Sequence, residues 1–103
     1  MLSKKIPLIL FFIFFPNLIF ADSKMELGQK IFNEKAQCGS CHTMKSNNSK
    51  GNIGPNLDNL KPSIPTIINA VTNGVGVMPP WNGILTREEI EAVAHYVFNS
   101  TNN

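Results

Sequence analysis

The sequence predicts an all-α domain of three to four short helices, and three observations carry that prediction. Two capping boxes stand far apart in the chain, Ser23-Lys24-Met25-Glu26 and Thr86-Arg87-Glu88-Glu89, and each marks a helix start. Ile90, Val93, Ala94, Val97 and Phe98 recur at the spacing of one buried helix face. No segment shows the two-residue alternation of a convincing strand.

Residues 1–21 stand apart from this domain. Lys4 and Lys5 form a basic start, and Ile6 to Phe20 is an apolar run interrupted by Pro7, Pro16 and Asn17. Ile19-Phe20-Ala21 ends in the small residue that a signal peptidase requires. The stretch reads as a secretory signal peptide cleaved after Ala21. It is too short and too broken by proline for a membrane span of about 20 residues. The alternative is an uncleaved N-terminal anchor, and only then would the chain meet a membrane. The domain proper is residues 22–103, and its expected location is the periplasm.

Removing Lys4 and Lys5 from nine basic residues leaves seven, against seven acidic ones. A near-neutral domain without a basic stripe is not a nucleic-acid binder. A chain this short buries little core, and such domains often add a disulfide, metal or cofactor.

The elements follow in order. Ser23 is the expected N-cap of a helix running to about Lys35, with Leu27 and Ile31 at helical spacing. Gly28 in that helix offers a place where another helix backbone crosses closely. Thr43 to Lys61 is polar and rich in turn residues, and it reads as a long irregular loop with one helical turn near Leu57–Leu60. A ligand to wrap would explain such a loop. Ser63 caps a short helix with Pro65 in its first turn, an apolar face of Ile64, Ile67, Ile68 and Val71, and Gly74 as its stop. Val75 to Trp81 cannot be helical across Pro79-Pro80. The last helix starts at Thr86, stapled by Leu85 and Ile90, and Asn99 to Asn103 is an expected frayed tail.

The chemistry centres on Cys38-Gly39-Ser40-Cys41-His42. A C-x-x-C-H string is the attachment signature of c-type haem: each thiol forms a thioether to one vinyl group, and the histidine that follows is held as proximal iron ligand. A redox-active thiol pair or half a zinc site would share the C-x-x-C. Neither explains the histidine at that position. A disulfide across two residues would close a very small loop and stabilise little.

The sixth iron position has several candidates. Met44 starts on the same face as His42, and Met25 is assigned to packing. Met78 has enough intervening chain to travel round the porphyrin edge, in a segment stiffened by prolines. Met/His ligation is an established arrangement for such iron, while core filling is the plainer use of a methionine. His95 is the rival, but it lies off the apolar face of the last helix and reads as solvent-facing. The proximal histidine needs an acceptor for its other ring N–H. The carbonyl of Pro55, in Gly54-Pro55-Asn56-Leu57, is the candidate, although the same residues also read simply as a turn.

These residues together resemble a small class I mono-haem cytochrome c of bacterial type. The resemblance covers nearly all of residues 22–103. It rests on Gly28 and Phe32, the Cys38–His42 string, Gly54-Pro55-Asn56-Leu57, Asn73 to Trp81, and Tyr96. It implies a cytochrome c fold wrapped around one covalently attached haem c. Gly28 and Phe32 would mark the crossing of the first and last helices near Tyr96. Pro55 would accept from the proximal histidine, and Met78 would be the distal ligand. Trp81 stands where phenylalanine is commoner; it would pack near the haem and donate its N–H to a propionate.

With both axial positions filled by protein, no small-molecule substrate is expected at the iron. Met78 would raise the reduction potential relative to bis-histidine ligation, and an apolar pocket of Ile67, Ile68, Val71, Trp81 and Val97 would raise it further. The function expected is a periplasmic one-electron carrier with transient redox partners: a dehydrogenase or bc-type complex on one side, a terminal oxidase or reductase on the other. Such partners dock through small interfaces, and Lys35, Lys45 and Lys50 are candidates for the border of the haem edge. The second reading is a small cytochrome subunit of a periplasmic oxidoreductase such as a sulfite dehydrogenase. The third is a haem-free thiol or metal-binding module.

Overall fold

The computed structural model describes residues 16–102, with side chains from residue 23 onward. The basic start at Lys4 and Lys5 and the apolar run up to residue 15 lie outside the described residues. Among the described residues four α-helices make the architecture: α1 (Pro16–Lys30), α2 (Leu57–Leu60), α3 (Ile64–Asn73) and α4 (Arg87–Thr101). The one sheet among the described residues is a two-residue antiparallel ladder, β1 (Thr43–Met44) with β2 (Ser49–Lys50), in which Thr43 faces Lys50 and Met44 faces Ser49. Among these residues no helix is long and apolar enough to cross a membrane.

The centre of the fold is the packing of α1 on α4. Gly28 allows it. A Cβ there would run into the carbonyl oxygen of Ala92 and fall 2.6 Å from Tyr96 Cβ, so only glycine lets the two backbones meet. Phe32 and Tyr96 then pack edge to face, with ring centroids 5.8 Å apart and planes at 61°. Phe32, Ile31, Met44 and Val93 are the largest fully buried side chains, and Leu57, Ile67, Val71, Leu85, Ile90 and Val97 close the core around them.

The caps of three helices form as their residues require. Asn56 Oδ1 accepts from the amides of Asp58 and Asn59 at the start of α2. Ser63 Oγ accepts from the Thr66 amide at 3.3 Å, and Gly74 ends α3 by donating to the Ala70 carbonyl. At α4 the capping box is complete. Thr86 Oγ1 accepts from Glu89 N at 3.1 Å, and Glu89 Oε1 accepts from Thr86 N at 2.9 Å. Leu85 and Ile90 are buried on either side.

Four expectations need correction. Ser23 is not an N-cap: α1 already runs from Pro16, so the amides after Ser23 find their acceptors in the preceding turn. The first helix is not regular to Lys35. Its last turn, Ile31–Lys35, is a π turn closed by Ala36 N donating to Ile31 O at 2.9 Å. The segment 43–61 is more ordered than a loop, because the β1–β2 ladder and a 3₁₀ turn at Lys45–Asn47 fold its first half. Finally, α4 continues through Thr101, which is 3% exposed. Its hydroxyl donates to the Val97 carbonyl, and its own carbonyl accepts from Lys61 Nζ at 2.9 Å, so the last turn is held from outside.

Candidate cofactor site

The two cysteines sit on a turn that several elements hold in place. The chain leaves the π turn, reverses at Gln37 in the left-handed region (φ 50°), and forms a 3₁₀ turn at Cys38–Ser40. Ser40 Oγ donates to the Gln37 carbonyl at 2.7 Å. The amides of Cys41 and His42 both donate to the Cys38 carbonyl, at 3.2 and 3.0 Å. Behind the turn, Gly51 N donates to Gly39 O at 3.2 Å and Gly54 N to Cys41 O at 2.8 Å. The segment that follows the cysteines therefore wraps back over them.

Both cysteines are free and half-buried. Burial pushes the Cys38 thiol up to about 11, so at neutral pH it is a protonated thiol rather than a thiolate. That is the reverse of the lowered value that a thiol-exchange nucleophile needs. No three His, Cys, Asp or Glu side chains gather as a metal cage among the described residues.

His42 has its ring held on one side. Nδ1 lies 2.7 Å from the carbonyl oxygen of Pro55. A carbonyl only accepts, so Nδ1 carries the proton and the lone pair of the neutral ring is on Nε2. Gly54 makes room for this pose: a Cβ there would fall 2.6 Å from His42 Cε1. The result is an oriented imidazole with a free nitrogen, directly after two free thiols. Imidazole nitrogen, thiols and a thioether fit the attachment and ligation chemistry of a c-type haem.

Met78 is held on a separate rigid loop. Val75 and Met78 exchange both backbone hydrogen bonds, at 3.1 and 2.9 Å, which makes a tight turn with Gly76 and Val77 at its tip. Trp81 N donates to Val71 O at 2.8 Å and Asn82 N to Thr72 O at 3.3 Å, so the end of the loop is tied to the last turn of α3. Met78 and Trp81 are half-buried and pack on the core. The Trp81 indole N–H has no hydrogen-bond acceptor among the described residues. Ile67, Val71 and Val97 are buried, and Ile68 packs beside them.

His95 is placed differently from expectation, and Lys35 and Met44 gain definite surroundings. His95 is half-buried rather than solvent-facing, beside Lys24 and Glu91, and burial lowers its pKa, with the Lys24 charge adding to this. Lys35 is engaged by Glu89 at 2.8 Å. Met44 is fully buried at β1 and serves the core. One residue was not singled out from sequence. Asn47 pairs its amide with that of Asn33 (3.2 and 2.8 Å), donates to Ser49 Oγ at 2.8 Å, and accepts from the Tyr96 hydroxyl. In the sequence it is one asparagine in a polar run, and only the turn-forming Asn47-Asn48 pair hints at it.

Comparison with known proteins adds the family context. Residues 23–97 match the family described as "Cytochrome C oxidase, cbb3-type, subunit III". Cytochrome c6 of Microcystis aeruginosa is 39% identical over 74 residues, which cover 68% of this chain and 89% of that protein. The cbb3-type cytochrome c oxidase subunit FixP of Bradyrhizobium sp. (strain ORS 278) is 41% identical over 78 residues, covering 68% of this chain and 25% of FixP. The crystal structure of the c-type cytochrome SorU from Sinorhizobium meliloti superposes with a TM-score of 0.73 at 49% identity, covering 78% of this chain and 93% of that one.

Proposed function

We propose, from the premise that this chain belongs to the small mono-haem cytochrome c family and carries one covalently attached haem c, that it works as a periplasmic one-electron carrier. The observation that carries this reading is the bond from His42 Nδ1 to the Pro55 carbonyl, which leaves Nε2 free as an iron ligand immediately after the two thiols. The bound haem supplies an iron that cycles between Fe(II) and Fe(III). Cys38 and Cys41 would hold the haem by thioether links. His42, through Nε2, and Met78, on its stiff loop, would serve as the iron ligands. Trp81, whose indole N–H has no acceptor among the described residues, would donate it to a propionate. With both ligands supplied by the chain, no iron position would be left for a substrate.

The exchange partners are a dehydrogenase or bc-type complex as donor and a terminal oxidase as acceptor, met through brief, small interfaces. Export and cleavage after Ala21 deliver the chain to the periplasm. Cleavage there would leave Ser23 as the second residue, where its capping box with Glu26 can begin α1. A second reading, a cytochrome subunit of a larger oxidoreductase, is favoured by the likeness to FixP, a protein described as an oxidase subunit.

The test is maturation in a host competent for c-haem attachment. A pyridine haemochrome spectrum of covalent haem and a reversible one-electron titration are expected. Absence of covalent haem would overturn the reading. Co-migration of the native protein with a large catalytic subunit would replace the free carrier with the subunit reading.

A further inference from the structure

Two Asn-Gly pairs flank the Met78 loop, Asn73-Gly74 before it and Asn82-Gly83 after it. Both asparagines are exposed, but their surroundings differ. At the first pair the Gly74 N–H is tied to the Ala70 carbonyl at 2.8 Å, and Asn73 Nδ2 is tied to Asn69 Oδ1 at 2.7 Å. At the second pair the Gly83 N–H has no acceptor among the described residues. Its neighbours are all engaged: Asn82 N to Thr72 O at 3.3 Å, and the amides of Ile84 and Leu85 to Trp81 O at 3.0 and 2.9 Å. The turn is also open, since a Cβ on Gly83 would meet no atom within 4 Å.

We infer that Asn82 is a site of spontaneous deamidation and that Asn73, with the same sequence signature, is protected. Asparagine is a chemically labile residue, and a following glycine leaves the attacking nitrogen unshielded. The Gly83 backbone nitrogen gives its proton to solvent and attacks Asn82 Cγ. The new N–Cγ bond closes a succinimide ring, the Cγ–Nδ2 bond breaks, and ammonia leaves with a proton from water. A second water opens the ring at either carbonyl and gives aspartate or isoaspartate. No oxidation or reduction occurs; the net change is one water consumed and one ammonia released.

The product matters because of where it lies. Between Lys61 and Arg87 the chain has no ionisable side chain. The new carboxylate becomes the one charge in that segment, next to Trp81. If the electron-carrier reading holds, a negative charge there favours Fe(III) and lowers the reduction potential. That consequence rests on the proposed function, whereas the deamidation does not.

The experiment incubates the holoprotein at neutral and mildly alkaline pH, digests it, and follows the two peptides by mass spectrometry. The Asn82 peptide is expected to gain the mass of an amide-to-acid exchange, faster at the higher pH. It should lead the Asn73 peptide by about tenfold, the factor for breaking one net hydrogen bond of ordinary strength. Equal rates, or a lead by Asn73, would overturn the proposal. So would an Asn82 peptide still intact when an unstructured peptide of the same residues has fully converted. Asn82→Gln should remove the fast phase and leave the slow one. A haemochrome assay of the same samples keeps the two ideas separate, because lack of haem defeats the electron-carrier reading without touching the mass result.

Discussion

The Tyr96 hydroxyl donates to Asn47 Oδ1 over 2.6 Å, tying α4 to the 3₁₀ turn that joins β1 to β2 beside the cysteine turn. The same ring packs on Phe32 and lies where Gly28 admits α4. One side chain thus joins helix crossing and site. Tyr96→Phe keeps the ring and removes the bond. We expect a loss of about 1 kcal/mol, the net value of one such hydrogen bond. Urea denaturation should show a lower midpoint with an unchanged slope.

Gly28→Ala tests the crossing itself. The added methyl meets backbone oxygen and a neighbouring Cβ, neither of which is a flexible side-chain end. The helices must separate, at a cost of about 1–3 kcal/mol. Thermal unfolding is the measurement, and the melting temperature should fall.

Met78→Ala tests the distal ligand. The oxidised protein should lose the weak long-wavelength band of Fe(III)–methionine ligation, and the reduction potential should fall. Covalent haem should remain, because the thiols are untouched. Survival of the band would reject Met78 and direct attention to another ligand.

The Lys35–Glu89 pair gives a pH dependence. The Lys35 ammonium, then the Thr86 amide, hold the Glu89 carboxyl below its ordinary value. A carboxylate with a lowered folded pKa adds stability above its unfolded value, about 4.3, and loses it as pH falls toward the folded value. Glu89→Gln keeps an acceptor for Thr86 and removes the charge. The melting-temperature gap between wild type and this variant should be present at neutral pH, shrink below about pH 4, and shrink at high salt.

What could be read in advance was what local rules decide. The Thr86–Glu89 box, the Ser63 cap and the Gly74 stop depend on residues within one turn, and the structure forms all three. The sequence points to Pro55 as acceptor for His42 because a ring N–H needs a partner and because the family resemblance implies it; spacing alone also allows a plain turn, and the distance of 2.7 Å bears on that choice. Ser23 misled because a capping box marks a start only if no helix precedes it, and α1 precedes it. The π turn was not legible: one extra residue in a helix leaves no signature in so short a stretch. Asn47 was missed because its four hydrogen bonds join residues 33, 49 and 96, and periodicity carries no information about partners so distant. The burial of Thr101 depends likewise on Lys61 reaching across from another element.

The π turn at Ile31–Lys35 also keeps a phase. It lies between Gly28, which faces α4, and Cys38, the first residue of the proposed haem-attachment string. In a regular helix each residue turns the chain by about 100°. The π turn takes five residues over the rotation that about four complete in an α-helix, so the chain beyond it leaves in nearly the same direction. Removing one residue would therefore restore an ordinary α-helix without turning Cys38 to the other side of the axis. The turn is sensitive to composition instead: Ile31 and Phe32 sit in it fully buried, so a smaller residue at either costs core packing, whereas one at the exposed Glu34 does not.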